Sequence, residues 1–150
     1  MMSKGVWGLF AAATLSLGLS SAAMAEMGPI EARQACMKAN AAMMKVMVPI
    51  IKGQAAYDKA AIDDVITKSQ AACAGWANWW GEDTKPGGAV KTEAKLEVWT
   101  DAKGFETASM EYVKAEQAVK DAADEAAFKA AFPGLGKSCQ SCHETYRAAD

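Results

Sequence analysis

The sequence contains a single histidine, no run of basic residues and no internal repeat. With 16 basic and 18 acidic residues the formal net charge is −2, which argues against nucleic acid as a partner. Beyond the first 25 residues no apolar run is long enough to cross a bilayer, so we expect no membrane insertion of the mature chain. Runs of β-branched residues are scarce and alanine is abundant, which favours helices over strands.

The first 25 residues have the pattern of a cleaved secretory signal peptide. Lys4 supplies a positive charge, residues 6–19 form a short apolar core, and Ala23-Met24-Ala25 matches a cleavage site. The alternative is a retained membrane anchor, for which the apolar run is short. We therefore expect one exported domain, residues 26–150, in the periplasm.

Four amphipathic segments are predicted as helices, at about 29–52, 58–80, 96–122 and 124–148. Short connections between them predict an all-α, antiparallel four-helix bundle. In the first segment, residues alternate by four and three along one helix face, which predicts the buried seam. Its members are Ile30, Gln34, Met37, Ala41, Met44, Val48 and Ile51.

The pentapeptide Cys139-Gln140-Ser141-Cys142-His143 is the attachment signature of a c-type haem. Two thiols at this spacing bond the two vinyl groups of one porphyrin, and the adjacent histidine reaches the iron. A thioredoxin-like pair would need a βαβ context, and a zinc site would need a second Cys/His cluster; the sequence has neither. We expect one covalent haem c near the C-terminal helix, with His143 as an iron ligand.

Several shorter motifs occur in the order typical of one family. They are Arg33-Gln34, Lys52-Gly53, Tyr57-Asp58, Val98-Trp99-Thr100-Asp101 and the Glu144-Thr145-Tyr146-Arg147 that follows the haem signature. With that signature they make the chain resemble the class II c-type cytochromes, the cytochrome c-prime family. The resemblance implies a four-helix bundle around one haem, whose proximal iron ligand is His143. It also implies a possible homodimer through the first two helices.

Members of this family differ in the distal face of the iron. In the high-spin branch the iron is five-coordinate, whereas in the low-spin branch a methionine of the first helix is the sixth ligand. Met37 matches that position, so we expect the low-spin branch; the alternative is a methionine that packs without binding iron. Arg33 resembles the family arginine that pairs with a haem propionate, the alternative being a solvated charge.

Two further cysteines, Cys36 and Cys73, lie at nearly equal distances from a turn near residue 55. If the first two helices are antiparallel, the two cysteines are at the same height, and an oxidising compartment makes a disulfide possible. The alternative is a pair of buried free thiols.

The expected function is one-electron transfer by a periplasmic monohaem cytochrome, with redox partner proteins that bind transiently. The alternative is a five-coordinate, high-spin protein that binds nitric oxide or carbon monoxide. A helical bundle without haem is a third possibility. We expect no enzymatic activity, since the sequence has no second histidine and no evident set of catalytic acids.

Overall fold

The computed structural model describes residues 27–149 and shows an all-helical chain in that range. Four long helices form the four-helix bundle predicted from the sequence: α1 (Pro29–Ile51), α2 (Lys59–Ala72), α4 (Ala102–Lys120) and α5 (Glu125–Tyr146). A short helix, α3 (Glu97–Thr100), and two 3₁₀ turns, Trp76–Asn78 and Glu82–Thr84, lie between α2 and α4. The predicted signal peptide, residues 1–25, lies outside the described residues.

Local sequence explains where most of these helices begin and end. Asp58 and Asp124 cap α2 and α5 by accepting hydrogen bonds from Ala61 N and Ala127 N, at 3.0 and 2.8 Å. Gly53 follows the end of α1 with a φ of 68°, a conformation that glycine adopts without steric cost. No helix within residues 27–149 is both long enough and apolar enough to cross a membrane.

The predicted second helix is wrong after Ala72. Gly75 is a weak helix former, and the chain continues through two 3₁₀ turns. These turns bring Trp76 and Trp80 against Phe105, with ring centroids 6.0 and 4.6 Å away. These aromatic rings therefore pack from a segment of 3₁₀ turns and not from the continuous helix that the sequence predicted.

The predicted third helix is interrupted at Asp101. This residue leaves helical geometry, and its carboxylate accepts hydrogen bonds from Gly104 N at 3.2 Å and from the Tyr146 hydroxyl at 2.8 Å. Aspartate competes in this way with the helical backbone, so it starts a new helix, α4, instead of continuing α3. Pro133 and Gly134, by contrast, lie within α5 without ending it.

The buried face of α1 is displaced by about one residue from the predicted seam. The buried side chains are Ile30, Arg33, Cys36, Met43, Met47 and Ile50. Of the predicted seam only Ile30 belongs to this set. A large cavity is lined by four other seam residues, Gln34, Met37, Ala41 and Met44, and also by the buried Ile30, Arg33, Cys36 and Met43. The apolar repeat in the sequence therefore indicates residues that line the cavity as well as residues that pack against other helices.

Two groups of buried side chains hold the bundle together. The large core cluster contains Met43, Met47, Ile50, Ile62, Ile66, Val119, Ala122, Phe128 and Leu135. The aromatic cluster contains Val98, Phe105 and Tyr146, with Trp76, Trp80 and Trp99 packed against them. Cys139 contacts the first group and Cys142 the second, so the haem signature lies where the two groups meet.

Leu135 is fully buried in the large core cluster, one turn of α5 before Cys139. We expect Leu135→Ala to lower the free energy of unfolding by about 2–5 kcal/mol, because it removes buried surface and leaves a cavity. Val113→Ala is the control: Val113 is 52% exposed, and its change should stay within about 0.5 kcal/mol. Denaturant unfolding followed by circular dichroism measures both; equal midpoints for the two variants would contradict this packing.

Candidate haem-binding site

The cavity beside the haem signature has a volume of about 1220 Å³. Typical small-molecule pockets measure roughly 300–1,000 Å³, so this one accommodates a group larger than most ligands. It is lined by the three residues of the signature that would hold the haem, Cys139, Cys142 and His143. Apolar and aromatic side chains form most of the remaining wall, among them Ile30, Met43, Val98, Phe105 and Trp80.

Helical geometry explains why the signature can hold one porphyrin. Cys139 and Cys142 are three residues apart on α5, so both thiols lie on the same helix face. Both are half-buried and free. Desolvation raises the pKa of the Cys139 thiol, and it also raises the pKa of the Cys142 thiol. Each thiol would add its S–H across one vinyl group, which forms two thioether bonds to one porphyrin.

His143 follows the second cysteine directly. Desolvation lowers the pKa of its imidazole, and the positive charge of Arg147 lowers it further. The neutral ring is the form that binds metal. Arg147 itself contacts the Glu93 carboxylate at 2.7 Å, and Ala148 N donates to Glu93 O at 2.7 Å. These contacts fasten the end of α5, and with it His143, to the segment before α3.

Arg33 is 5% exposed and lies at one side of the cavity. Its guanidinium donates to Thr84 O at 3.1 Å and lies 4.3 Å from the centre of the Trp80 ring. No carboxylate within residues 27–149 pairs with it. Desolvation lowers its pKa, which shows the cost of burying this cation. An anionic group in the cavity would supply the missing partner.

Trp80 gives a second observation of the same kind, which the sequence did not reveal. Its ring lines the cavity, and its buried Nε1–H has no hydrogen-bond acceptor within residues 27–149. A buried donor without a partner costs about 1–3 kcal/mol unless a bound group satisfies it. The Arg33 guanidinium lies over the Trp80 ring, so the cation without a carboxylate partner and the donor without an acceptor belong to neighbouring side chains.

Met37 is half-buried and lines the same cavity as His143. The fold therefore brings together the predicted proximal ligand and the residue predicted for the distal face. Bond formation between Met37 and iron stays a prediction. Cys36 and Cys73 lie beside it, with their sulfur atoms 2.00 Å apart in the structure, and both line the cavity.

Known proteins support this site. A family model described as Cytochrome C' matches residues 28–147. This chain belongs to the cytochrome c' family. The family binds one covalently attached haem c, and Cys139, Cys142 and His143 are in place to hold it. When bound, the haem supplies an iron centre for redox chemistry or ligand binding; the protein supplies the tether, one axial ligand and the cavity wall.

Two relatives illustrate the similarity in sequence. A cytochrome c' from Alcaligenes xylosoxydans xylosoxydans is 33% identical over 122 residues, which are 79% of this chain and 91% of that protein. A cytochrome c-556 from Rhodopseudomonas palustris is 29% identical over 133 residues, which are 85% of this chain and 88% of that protein.

Two solved structures illustrate the similarity in fold. A nitric oxide complex of a mutant cytochrome c prime from Alcaligenes xylosoxidans has a TM-score of 0.66 at 29% identity, covering 82% of this chain and 98% of that one. A cytochrome c' with ligand-controlled dimer dissociation has a TM-score of 0.72 at 28% identity, covering 81% and 95% of the two chains.

These relatives correct the expected function. Most carry the name cytochrome c', and three of the matching structures are nitric oxide complexes. The prediction of one-electron transfer as the main function is therefore wrong, and the gas-binding alternative is favoured. The low-spin branch with a His/Met-ligated iron finds no support in these comparisons. The expected transient redox partners are not shown by these relatives and stay a prediction.

The two cysteine pairs should differ in their effect on haem attachment. We expect the double variant Cys139→Ser with Cys142→Ser to lose all covalent haem, because no thiol remains to add to the vinyl groups. Cys36→Ser with Cys73→Ser is the matched control and should keep it. A haem-stained denaturing gel measures both, and haem retained by the first variant would contradict the assignment.

Cys36 and Cys73 are predicted to form a disulfide in the exported protein. After denaturation without reductant, the holoprotein should show no alkylated cysteine; after reduction, these two alone should react. We expect Cys36→Ala with Cys73→Ala to lower the free energy of unfolding by about 2–4 kcal/mol, as is typical of disulfides. Alkylation of either residue without reductant, detected by mass spectrometry, would contradict the prediction.

Proposed function

We propose that this protein binds a small diatomic gas, nitric oxide or carbon monoxide, at a five-coordinate, high-spin haem iron. The nitric oxide complex of a matching cytochrome c prime is the observation that carries the proposal most directly. The residues available to bind the iron also support the proposal. His143 is the only histidine of the chain, so no second imidazole can occupy the opposite side of the iron. That side is open to a ligand unless Met37 closes it.

Met37 determines whether the iron keeps a free coordination position for a gas ligand. A thioether binds haem iron well, but a methionine on an inner helix face more often fills space. Arg33 and Cys36, both buried, hold α1 on the N-terminal side of Met37. We propose that Met37 packs beside the iron without binding it, so that a gas molecule gains access.

Other parts of the proposal concern the setting of the protein. We propose that it acts in the periplasm, since bacterial c-type haem is attached outside the cytoplasm and residues 1–25 have a signal pattern. We propose binding rather than catalytic turnover. A homodimer through α1 and α2 stays a prediction; a matching cytochrome c' is described as a dimer whose dissociation is controlled by its ligand.

Absorption spectra of the oxidised and reduced holoprotein test the proposal. We expect a broad high-spin Soret band that Met37→Ala leaves unchanged, and a shift of the reduced band when carbon monoxide is added. Met44→Ala is the matched control, because Met44 also lines the cavity from α1 but was not predicted as a ligand. Sharp six-coordinate bands that disappear only in Met37→Ala would contradict an open iron.

A further inference from the structure

A buried polar network lies in the otherwise apolar wall of the haem cavity. Asn40, Ser69, Tyr112 and Glu116 all line the cavity and are joined by hydrogen bonds. Ser69 is 1% exposed and Glu116 is 4% exposed, so the network is shielded from solvent. Attachment of the haem requires none of these residues.

The distribution of protons in this network fixes the side-chain amide of Asn40. The Tyr112 hydroxyl shares its single proton between Glu116 Oε1 at 2.7 Å and Asn40 Oδ1 at 3.0 Å, so it points towards the amide oxygen. Burial raises the pKa of Tyr112, which keeps it a donor. The Ser69 hydroxyl donates to Asn40 Oδ1, while Glu116 Oε2 accepts from Gln70 Nε2 at 3.1 Å.

The other end of the amide is unused. With Oδ1 held by Ser69, the Nδ2 group of Asn40 has no acceptor within residues 27–149. Asn40 follows Met37 by three residues, so the two side chains emerge from neighbouring positions on one face of α1. Both line the cavity. An amide donor therefore lies on the side of the cavity where the proposed function places the gas ligand.

We propose that Asn40 is a specificity-determining residue that donates a hydrogen bond to the gas molecule bound to the iron. The inference rests on the proposed function and adds the class of ligand: a diatomic molecule whose outer atom gains negative charge when the iron binds it. Ser69, with Tyr112 and Glu116 behind it, is a positioning residue. It holds the amide oxygen away from the ligand, so that the amide nitrogen faces it.

The physical consequence is a weakened bond within the ligand. A hydrogen bond from Asn40 to the oxygen of carbon monoxide would favour the donation of electron density that a ferrous haem iron would make into the antibonding orbital of that ligand. Polarity and hydrogen-bond donors in the distal pocket are among the features by which proteins set the ligand preference of haem iron.

The test uses the ferrous holoprotein with carbon monoxide as the probe. We expect Asn40→Leu, which removes the donor at similar volume, to raise the C–O stretching frequency and to speed dissociation about fivefold, the loss of one ordinary hydrogen bond. Asn78→Leu is the matched control, because Asn78 is exposed and lies outside the cavity. Infrared spectroscopy and flash photolysis measure the two quantities.

A second variant keeps the test decisive if Asn40→Leu does not fold. Ser69→Ala leaves Asn40 in place but frees its amide, so we expect a smaller rise in the stretching frequency. An unchanged frequency and rate in Asn40→Leu, or in Ser69→Ala where only that variant folds, would overturn the inference while the proposed function stands. A wild-type ferrous protein that binds no carbon monoxide would overturn both.

Discussion

One turn of α5 carries both cysteines and the histidine, and this arrangement constrains the whole site. The tether and the axial ligand belong to the same rigid element, so the position of the porphyrin relative to α5 is set by covalent and coordinate bonds alone. The other helices contribute no part of the attachment. They need only enclose a flat, mostly apolar group, which explains why the cavity wall tolerates methionine, alanine and tryptophan at helical spacing.

The turn of α5 that carries the haem signature lies between the two groups of buried side chains. Cys139 contacts the large core cluster and Cys142 the aromatic cluster, so the turn between them is packed on both sides. Tyr146, one turn after Cys142, packs against Phe105 at 5.2 Å between ring centres and donates to Asp101. The end of α5 is thereby fixed to the start of α4. A cofactor attached to α5 would therefore be held relative to α4 through this contact, in addition to its own contacts with the cavity wall.

The sequence predicted the parts of the site that depend on local spacing. Cys139, Cys142 and His143 are adjacent in the chain, and the four helices follow from periodicity and capping residues such as Asp58 and Asp124. The missed features depend on contacts between distant segments. No local pattern shows that Trp80 Nε1 lacks an acceptor, or that Asn40 meets Ser69 and Tyr112.

The displaced seam of α1 has a similar cause. An apolar repeat identifies which residues avoid water, but it does not distinguish a face that packs against another helix from a face that packs against a cofactor. On α1 the two faces overlap: Met37 lines the cavity, whereas Met43 and Met44 line the cavity and also contact the large core cluster. The expected electron-transfer function was wrong for a related reason: the sequence around a methionine in the ligand position does not show whether its sulfur reaches the iron.

The distal wall of the cavity combines two groups with opposite tendencies. The thioether of Met37 is flexible and could close the iron, whereas the amide of Asn40 is held by a buried network and can act only on a ligand that is present. Arg33 and Cys36 are buried on one side of Met37 and Met43 on the other, so α1 itself has little freedom to move towards the iron. With α1 restricted in this way, the coordination of the iron depends on whether the Met37 side chain reaches it. Burial of the polar network around Asn40 costs free energy that an apolar wall would not. A hydrogen bond to a bound polar ligand would offset part of that cost. An iron ligated by the Met37 sulfur would leave the Asn40 amide without the bound ligand that we propose as its acceptor.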